Sequence, residues 1–363
     1  MSVELELAFD YIDETMLQKT SDQNAHYSPG HPDVALGKIG VLLINLGTPE
    51  ATSYWPMRRY LKEFLSDRRV IDVPRPIWWF ILNVIILTTR PSKSGEAYEQ
   101  IWNHELNESP LKTITRAQAE KTAEALAGHS AIEVEWAMRY GLPPIREKIE
   151  KLKNAGCDRL LLFPLYPQYS AATTASVQDK AFDALKEMRW QPAIRTVPAY
   201  HDHPVYIDAL VKSLERHLES LDWTPDLVLS SYHGLPERYL KLGDPYHCQC
   251  HKTTRLMREQ LGWDADKLQV VFQSRFGSEE WLKPYAEDTV RELARNGTKN
   301  LAMIMPAFFS DCVETLEEIA IGLKEVFEEN GGENFTAVPC LNDSDLGIRV
   351  LTSLAENELS GWL

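Results

Sequence analysis

The chain has 363 residues, of which 44% are hydrophobic and 25% charged; this is the composition of an ordinary globular protein and excludes a disordered or fibrous one. Because a single core rarely grows beyond about 250–300 residues, this length predicts two domains. The net charge of −15 repels phosphate backbones and argues against nucleic acid as a partner. The five unevenly spaced cysteines are typical of a reducing compartment rather than of a secreted disulfide framework.

Residues 1–35 have the composition of a polar extension, which ends at a Pro-Gly-His-Pro cluster typical of a linker. Five acidic side chains occur in the first 20 residues, where a signal peptide would carry basic residues ahead of an apolar run. The sequence therefore predicts a cytoplasmic protein.

Three motif pairs occur in the same order in the two halves of the chain. In each half one apolar strand runs into a G-x-P-E turn, a second into an Arg-aromatic-Gly turn, and a third ends at a proline. The pairs are Gly47–Glu50 with Gly234–Glu237, Arg139–Gly141 with Arg275–Gly277, and Arg159–Pro164 with Asn300–Pro306. Apolar strands that alternate with helical segments predict parallel strands buried on both faces. The repeat therefore predicts an α/β fold of two similar doubly wound, Rossmann-like domains that face a central cleft.

The motif positions set the predicted domain boundaries. We predict a first domain over residues 36–195, a second over residues 196–342, and a C-terminal helix over residues 343–363 that packs back on the first domain. The first half is longer between its first two motifs, which predicts an insertion over about residues 54–112. The insertion contains the 11-residue apolar run Ile77–Leu87, which is shorter than the roughly 20 residues that cross a bilayer. Nearby arginines favour a role at an interface, although a buried core helix would also be apolar.

Two sets of polar residues follow strands of the second half, where open α/β sheets bind their ligands. His233 comes two residues after the strand that ends at Ser231. Asp311, Glu314 and Glu318 follow the third strand at i, i+3 and i+7, a spacing that predicts one shared helix face. Imidazole and carboxylates together can bind a divalent cation or accept protons. An acidic stripe is also typical of a solvated surface, so the pattern alone leaves both interpretations open.

Further motifs distributed over residues 38–341 carry a resemblance to a known family. They are NLGTP at 45–49, NESPL at 107–111, MRYG at 138–141, PLYPQYS at 164–170, HGLP at 233–236, GDPY at 243–246, QSRFG at 273–277 and SDCVETL at 310–316. With these motifs the chain resembles the ferrochelatases, which insert ferrous iron into protoporphyrin IX in the last step of haem synthesis. The resemblance implies the chelatase fold with a parallel four-stranded sheet in each domain, Fe²⁺ as a substrate, and no organic cofactor.

The resemblance also implies roles for individual residues. His233 and Glu314 match the catalytic pair, which we assign jointly to metal delivery and proton abstraction, and Glu318 and Asp311 join them as metal ligands. Binding of a large apolar ring requires an apolar slot with a few cations for the two propionates. The residues expected to contact the porphyrin are Leu46, Arg90, Ser109, Arg139, Tyr140 and Tyr169.

The chain departs from the family pattern at its cysteines. Cys312 stands where many relatives carry a histidine, and its role is open. Some relatives hold a 2Fe-2S cluster, which needs four thiolates. The candidate ligands here are Cys157, Cys248, Cys250 and Cys340, although Ser170-Ala171-Ala172 occupies a segment where relatives often have a ligand cysteine.

The apolar run Ile77–Leu87 resembles the hydrophobic lip of the family. We therefore expect peripheral contact with the inner face of a membrane, and contact with the preceding enzyme of haem synthesis. Two other functions are compatible with the sequence. One is a chelatase for coproporphyrin or another tetrapyrrole, and the other is a non-catalytic two-lobed protein that binds porphyrin or metal.

Overall fold

Eight strands form two four-stranded sheets in the part of the chain described by the computed structural model, which covers residue 31 and residues 35–129, 131–277 and 279–363. The first sheet contains β1 (Lys38–Gly47), β2 (Ile132–Tyr140), β3 (Cys157–Pro164) and β4 (Ala193–Thr196). The second contains β5 (Leu227–His233), β6 (Leu268–Gln273), β7 (Asn300–Ile304) and β8 (Asn334–Ala337). The polar extension predicted for residues 1–35 lies almost entirely outside the described residues.

The two sheets have the same topology. Their strand orders are β2-β1-β3-β4 and β6-β5-β7-β8, and every pairing is parallel. Each sheet therefore places its first strand between its second and third, and all strand carboxyl ends of one sheet lie at one edge. The predicted α/β fold with two similar parallel four-stranded sheets is confirmed.

Helices connect the strands and cover both faces of the sheets. Those before the second sheet are α1 (Tyr54–Leu65), α2 (Arg75–Phe80), α3 (Leu87–Glu99), α4 (Pro110–Ala125), α5 (Ile145–Asn154), α6 (Ser176–Lys186) and α7 (Pro204–Glu219). Those after β5 are α8 (Glu237–Lys241), α9 (Tyr246–Leu261), α10 (Ala286–Arg295), α11 (Val313–Leu316), α12 (Lys324–Glu329) and α13 (Asp345–Leu359). Three π-helical segments, Ile81–Ile86, Ala171–Ala175 and Glu318–Leu323, each adjoin an α-helix.

Continuous apolar runs bury both faces of the central strands. In β1, Val41 and Leu43 pack into one hydrophobic cluster while Leu42 and Ile44 pack into another on the opposite face. The cluster that contains Val41 also contains Val228 of β5, together with side chains of α7 and α13. The facing layers of the two sheets therefore share one core, which fixes the strand carboxyl ends of both sheets around a common space.

The connection between β1 and β2 is longer than its counterpart between β5 and β6. It contains α1, α2, the π-helical segment Ile81–Ile86, α3 and α4, whereas the second half has only α8 and α9 at this position. At the other end of the chain, α13 contacts α4, α7 and β3. Residues 37–363 group as one compact unit. None of the helices among the described residues is both long enough and apolar enough to cross a membrane.

Candidate active site

A cavity of about 1010 Å³ opens at the carboxyl ends of the strands of both sheets. Leu46 at the end of β1, His233 at the end of β5 and Ser274 just after β6 all line it. The long connection after β1 supplies a largely apolar wall through α1 and α2, with Phe64 and Trp78 among its side chains. The sequence prediction that strand ends of both halves converge on one site is therefore consistent with the geometry.

His233 presents one defined ring nitrogen to this cavity. Its Nδ1 lies 2.6 Å from the carbonyl oxygen of Gly234. A carbonyl only accepts hydrogen bonds, so Nδ1 carries the proton and donates it. In the neutral imidazole, Nε2 then holds a lone pair that can accept a proton or bind a metal ion.

Glu318 lines the same cavity and is held firmly by the end of β6. Its carboxylate accepts hydrogen bonds from the backbone nitrogen of Ser274 at 2.7 Å and from Ser274 Oγ at 2.5 Å. Gln273 Nε2 lies 3.4 Å from the same carboxylate and donates to the carbonyl oxygen of Glu314 at 2.8 Å. Ser231 in turn donates to Gln273 Oε1 at 2.7 Å, which fixes the orientation of this amide.

Burial raises the pKa of Glu318 above its usual value. The hydrogen bonds from Ser274 and the charge of a protonated His233 act in the opposite direction, while the charge of Glu314 adds to the rise. Burial likewise raises the pKa of Glu317, with smaller contributions from the charges of Glu318 and Glu314. The acidic groups and the imidazole are therefore close enough for the protonation of one to influence another.

Asp311 does not belong to this group. The predicted single helix is interrupted: α11 has only four residues, and the π-helical segment Glu318–Leu323 follows it. Asp311 precedes α11 and is buried, and its carboxylate accepts hydrogen bonds from Thr315 Oγ1 at 2.8 Å and Asn342 Nδ2 at 2.6 Å. The expectation of a shared helix face is wrong for Asp311, because its carboxylate serves the local loop structure. Among the described residues, no three His, Cys, Asp or Glu side chains are arranged to hold a resident metal ion.

Two of the six residues expected to contact a porphyrin line the cavity, namely Leu46 and Arg90. The guanidinium of Arg90 lies 4.4 Å from the ring centroid of Phe276, across from the long connection. Burial lowers the pKa of Arg90, and within the described residues its guanidinium has neither an ion-pair nor a hydrogen-bond partner. An arginine in this state is suited to an anionic group of a ligand.

The other four residues have structural contacts outside the cavity lining. Arg139 forms an ion pair with Asp67 and donates to Ser176. Tyr140 is fully buried, and its hydroxyl donates to Asp67 at 2.8 Å. Ser109 is buried as the N-cap of α4. The backbone nitrogen of Tyr169 donates to Oε1 of Gln249 at 2.6 Å. Because Asp67 neutralises Arg139, that arginine is not available to a ligand in this arrangement.

The four cysteines considered as cluster ligands lie in different surroundings. Cys157 packs in the core beside β1, Cys250 packs with side chains of β5 and β6, Cys340 packs against the core of the second sheet, and Cys248 is exposed. Burial raises the pKa of Cys157 to about 12 and also raises that of Cys250 and Cys340, which disfavours the thiolate form in these surroundings. We therefore correct the prediction of a 2Fe-2S cluster: these cysteines do not form its ligand set.

Sequence reasoning missed several residues of the cavity. Tyr60 and Tyr98 come from α1 and α3 of the long connection, and both are buried within range of the charge of Glu314. No motif indicated them. Gln273 and Ser274 belong to the QSRFG motif, but their part in holding Glu318 depends on contacts with residues more than 40 positions away. Cys312, whose role was left open, also lines the cavity and caps α11.

Comparisons with known proteins agree with the motifs. The ferrochelatase family model matches residues 38–359. A ferrochelatase of Rhizobium meliloti is 61% identical over 333 residues, which is 92% of this chain and 98% of that protein. A ferrochelatase of Chelativorans sp. is also 61% identical over 333 residues, covering 92% of this chain and 94% of that protein.

Among solved structures, SirB from Bacillus subtilis with Fe³⁺ superposes with a TM-score of 0.53 over 89% of this chain and 97% of that one. At 10% identity this likeness concerns the fold alone. The family match covers both sheets and the cavity between their strand ends. It confirms the enzyme class predicted from the motifs, a chelatase that inserts iron into a porphyrin. The chain belongs to the ferrochelatase family.

Proposed function

We propose that the cavity binds protoporphyrin IX and that the chain inserts ferrous iron into it, which yields protohaem and releases two protons. The observation that carries this proposal is that His233, whose Nδ1 is engaged by the carbonyl oxygen of Gly234, shares one large cavity with Glu314 and Glu318 and with an apolar wall. A flat apolar ring requires the wall, and the reaction at its centre requires bases and metal ligands.

Insertion breaks two pyrrole N–H bonds, forms bonds between the ring nitrogens and Fe²⁺, and transfers two protons to the protein. His233 Nε2 has the lone pair for one of these protons. Burial brings the pKa of Glu318 closer to neutral pH, where a carboxylate is a more effective proton acceptor. We assign proton abstraction and metal delivery jointly to His233 and Glu314, and these two roles are interchangeable.

The ferrous ion is a substrate that passes through the site. Carboxylate oxygens and imidazole nitrogens are both suitable ligands for Fe²⁺. Glu314, Glu317 and Glu318 supply negative charge along one side of the cavity. Because burial and neighbouring negative charge disfavour the ionised forms of Glu317 and Glu318, a divalent cation at this point stabilises those forms. Iron therefore has a favourable path toward the ring.

Arg90 is the residue that we propose for a propionate. Of the three arginines that line the cavity, Arg238 pairs with Asp72 and Glu279, and Arg275 lies 3.9 Å from Asp288. Arg90 is thus the cavity arginine without a carboxylate partner among the described residues. Coproporphyrin would bring four carboxylates into a cavity whose described residues include one arginine without a carboxylate partner, whereas protoporphyrin brings two. We therefore place the coproporphyrin reaction second.

We further propose that the chain is a cytoplasmic protein and that the porphyrin enters from a membrane surface. The side chains of Ile77, Trp79, Phe80, Val84 and Ile85, which we call the lip patch, are 49–65% exposed. Exposed apolar clusters of this kind are typical of an interaction surface. Trp78 of the same segment lines the cavity, so the patch adjoins the porphyrin site. The preceding enzyme of haem synthesis would deliver its product at this rim.

Anaerobic assays of the His233→Ala variant test the proposed function. We expect turnover of ferrous iron and protoporphyrin to fall by at least 100-fold, while porphyrin binding, measured by fluorescence quenching, stays within threefold of wild type. His104→Ala is the matched control, because this imidazole is 69% exposed. Wild-type turnover by His233→Ala, or failure of the wild-type chain to convert protoporphyrin, would overturn the proposal. Parallel assays with coproporphyrin test whether the chain acts on that porphyrin in preference to protoporphyrin.

A further inference from the structure

A second concave site lies on the other side of Trp78. It is a groove of about 490 Å³ between α1 and the segment that starts at Arg75, and Lys62 and Arg75 line it with Trp78 and Trp79. Trp78 also lines the porphyrin cavity, so this indole separates the two spaces. Neither the enzyme class nor the proposed mechanism assigns a role to this groove.

The groove has cationic groups without carboxylate partners. Within the described part of the chain, Lys62 makes no ion pair or hydrogen bond through its ammonium group. Arg75 donates from Nη1 to the carbonyl oxygen of Ser66 at 2.7 Å, which orients the guanidinium and leaves its other N–H groups available. A fixed guanidinium beside an ammonium is the arrangement that binds a phosphate group.

The charge around the groove is opposite to that of the whole chain. Residues 54–90 contain seven arginines and lysines and three acidic residues, although the chain carries a net charge of −15. A strongly acidic protein is repelled by an anionic surface unless a local positive region faces it. Trp79 belongs both to the groove and to the lip patch, and its side chain is 65% exposed. An exposed indole beside basic residues is typical of the interface between lipid headgroups and acyl chains.

We infer that this groove binds the phosphate of an anionic phospholipid headgroup, so that the lip patch contacts the acyl region while Lys62 and Arg75 hold the headgroup. The inference rests on the proposed membrane contact of the lip patch and adds the lipid class to it. A lipid held on one side of Trp78 lies next to the entrance of the porphyrin cavity on the other side. Anionic lipid would therefore orient the cavity toward the membrane that supplies its substrate.

Vesicle flotation with the full chain tests the inference. We expect the wild-type chain to bind vesicles that contain about a third phosphatidylglycerol at least tenfold more tightly than vesicles of phosphatidylcholine alone. The double variant Lys62→Gln/Arg75→Gln should lose this preference. The matched control Arg58→Gln/Arg68→Gln removes two positive charges that also lack a carboxylate partner in the described part of the chain, from the same segment but outside the groove, and should retain most of the preference.

Several outcomes would overturn the inference. If the wild-type chain bound both vesicle types equally, the groove would not select anionic phospholipid. If both double variants weakened vesicle binding equally, general surface charge and not the groove would explain the effect. Turnover of detergent-dispersed porphyrin without vesicles should be unchanged in the groove variant, and its loss would show that the two residues act in the cavity. A wild-type chain that converts porphyrin but binds no vesicles would overturn the lipid site and leave the iron-inserting function intact.

Discussion

Ser274 donates two hydrogen bonds to the carboxylate of Glu318, one from its backbone nitrogen at 2.7 Å and one from its hydroxyl at 2.5 Å. The φ angle of Ser274 is 64°, in the left-handed region that non-glycine residues adopt infrequently. This conformation aims both donors of one residue at one carboxylate. The end of β6 thus holds the first residue of the π-helical segment Glu318–Leu323 in the cavity.

Ser274→Gly should change the pH dependence of the reaction. Glycine retains the backbone donor and tolerates the φ angle, but the hydroxyl bond to the charged form of Glu318 is lost, so the pKa of Glu318 should rise further. Because the ionised carboxylate accepts a proton or metal, the acid limb of kcat/KM should move to higher pH, with activity at pH 6 reduced about tenfold. Anaerobic rate profiles measure this shift. Ser220→Gly is the control, and an unmoved acid limb would contradict the assigned role of Glu318.

Glu318→Gln should raise stability while it lowers activity. The pKa of Glu318 is higher in the folded chain than its usual value, so the folded state binds a proton more tightly and stability decreases as pH rises from the unfolded toward the folded pKa. Glutamine removes this loss and can still accept from Ser274. The unfolding temperature of the Glu318→Gln variant should exceed that of wild type by a few degrees at pH 8 and equal it near pH 4. The kcat of the variant should be lower by at least 100-fold. Thermal unfolding at both pH values tests this, with Glu356→Gln as control. An unfolding temperature of Glu318→Gln below that of wild type at pH 8 would contradict the prediction.

Arg90→Met should weaken porphyrin binding without loss of stability. Arg90 is buried against Phe276 and has no carboxylate partner among the described residues, so its removal leaves no uncompensated charge. The KM for protoporphyrin should rise about tenfold, the effect expected for one charge-assisted contact, while kcat changes less than threefold. A porphyrin without propionates should bind the variant and the wild type equally. An equal loss of affinity for that porphyrin would point to lost packing instead.

Arg139→Met should lower the stability of the chain and leave porphyrin binding nearly unchanged, the reverse of the Arg90→Met result. Burial acts to raise the pKa of Asp67, but hydrogen bonds from Ser176 and Tyr140 and the charge of Arg139 hold it below its usual value. Removing the arginine leaves a buried carboxylate without its counter-charge, which costs about 3–5 kcal/mol of stability. Denaturant unfolding measures this loss, and the KM for protoporphyrin measured at 15 °C should stay within threefold of wild type. A large rise in KM with unchanged stability would show instead that Arg139 contacts the porphyrin.

The contrast between Arg90 and Arg139 shows which features of the fold and the site could be predicted from the sequence and which could not. Local patterns sufficed for the two sheets, because apolar runs and Gly or Pro turns act over a few residues and recur in both halves. They also brought His233 and Glu318 to one site, since strand ends of a parallel sheet meet at one edge. They could not discriminate between two arginines, because the partner of Arg139 is Asp67, 72 positions away. Asp311 was misjudged for a similar reason, since its partner Asn342 lies beyond the next strand.

Gly47→Ala should be far more damaging than a change at a glycine with similar backbone geometry. Gly47 has a φ of 119°, and a Cβ there would lie 1.8 Å from the carbonyl oxygen of Tyr140 at the end of β2. Gly297 has a φ of 98°, but a Cβ there meets nothing within 4 Å. Gly297→Ala should therefore cost about 1–2 kcal/mol from backbone strain alone. Gly47→Ala should cost at least 3 kcal/mol, because the end of β2 must also move.

Denaturant unfolding of the two variants measures this difference, and equal losses would mean that β1 and β2 can separate freely at their ends. The second half repeats the close approach: a Cβ at Gly234 would lie 2.8 Å from the carbonyl oxygen of Gln273 at the end of β6. The repeated glycine thus brings two strand ends together in each sheet. In the second sheet those ends carry His233 and Gln273, so Gly234→Ala should reduce kcat by at least tenfold even in the fraction that stays folded.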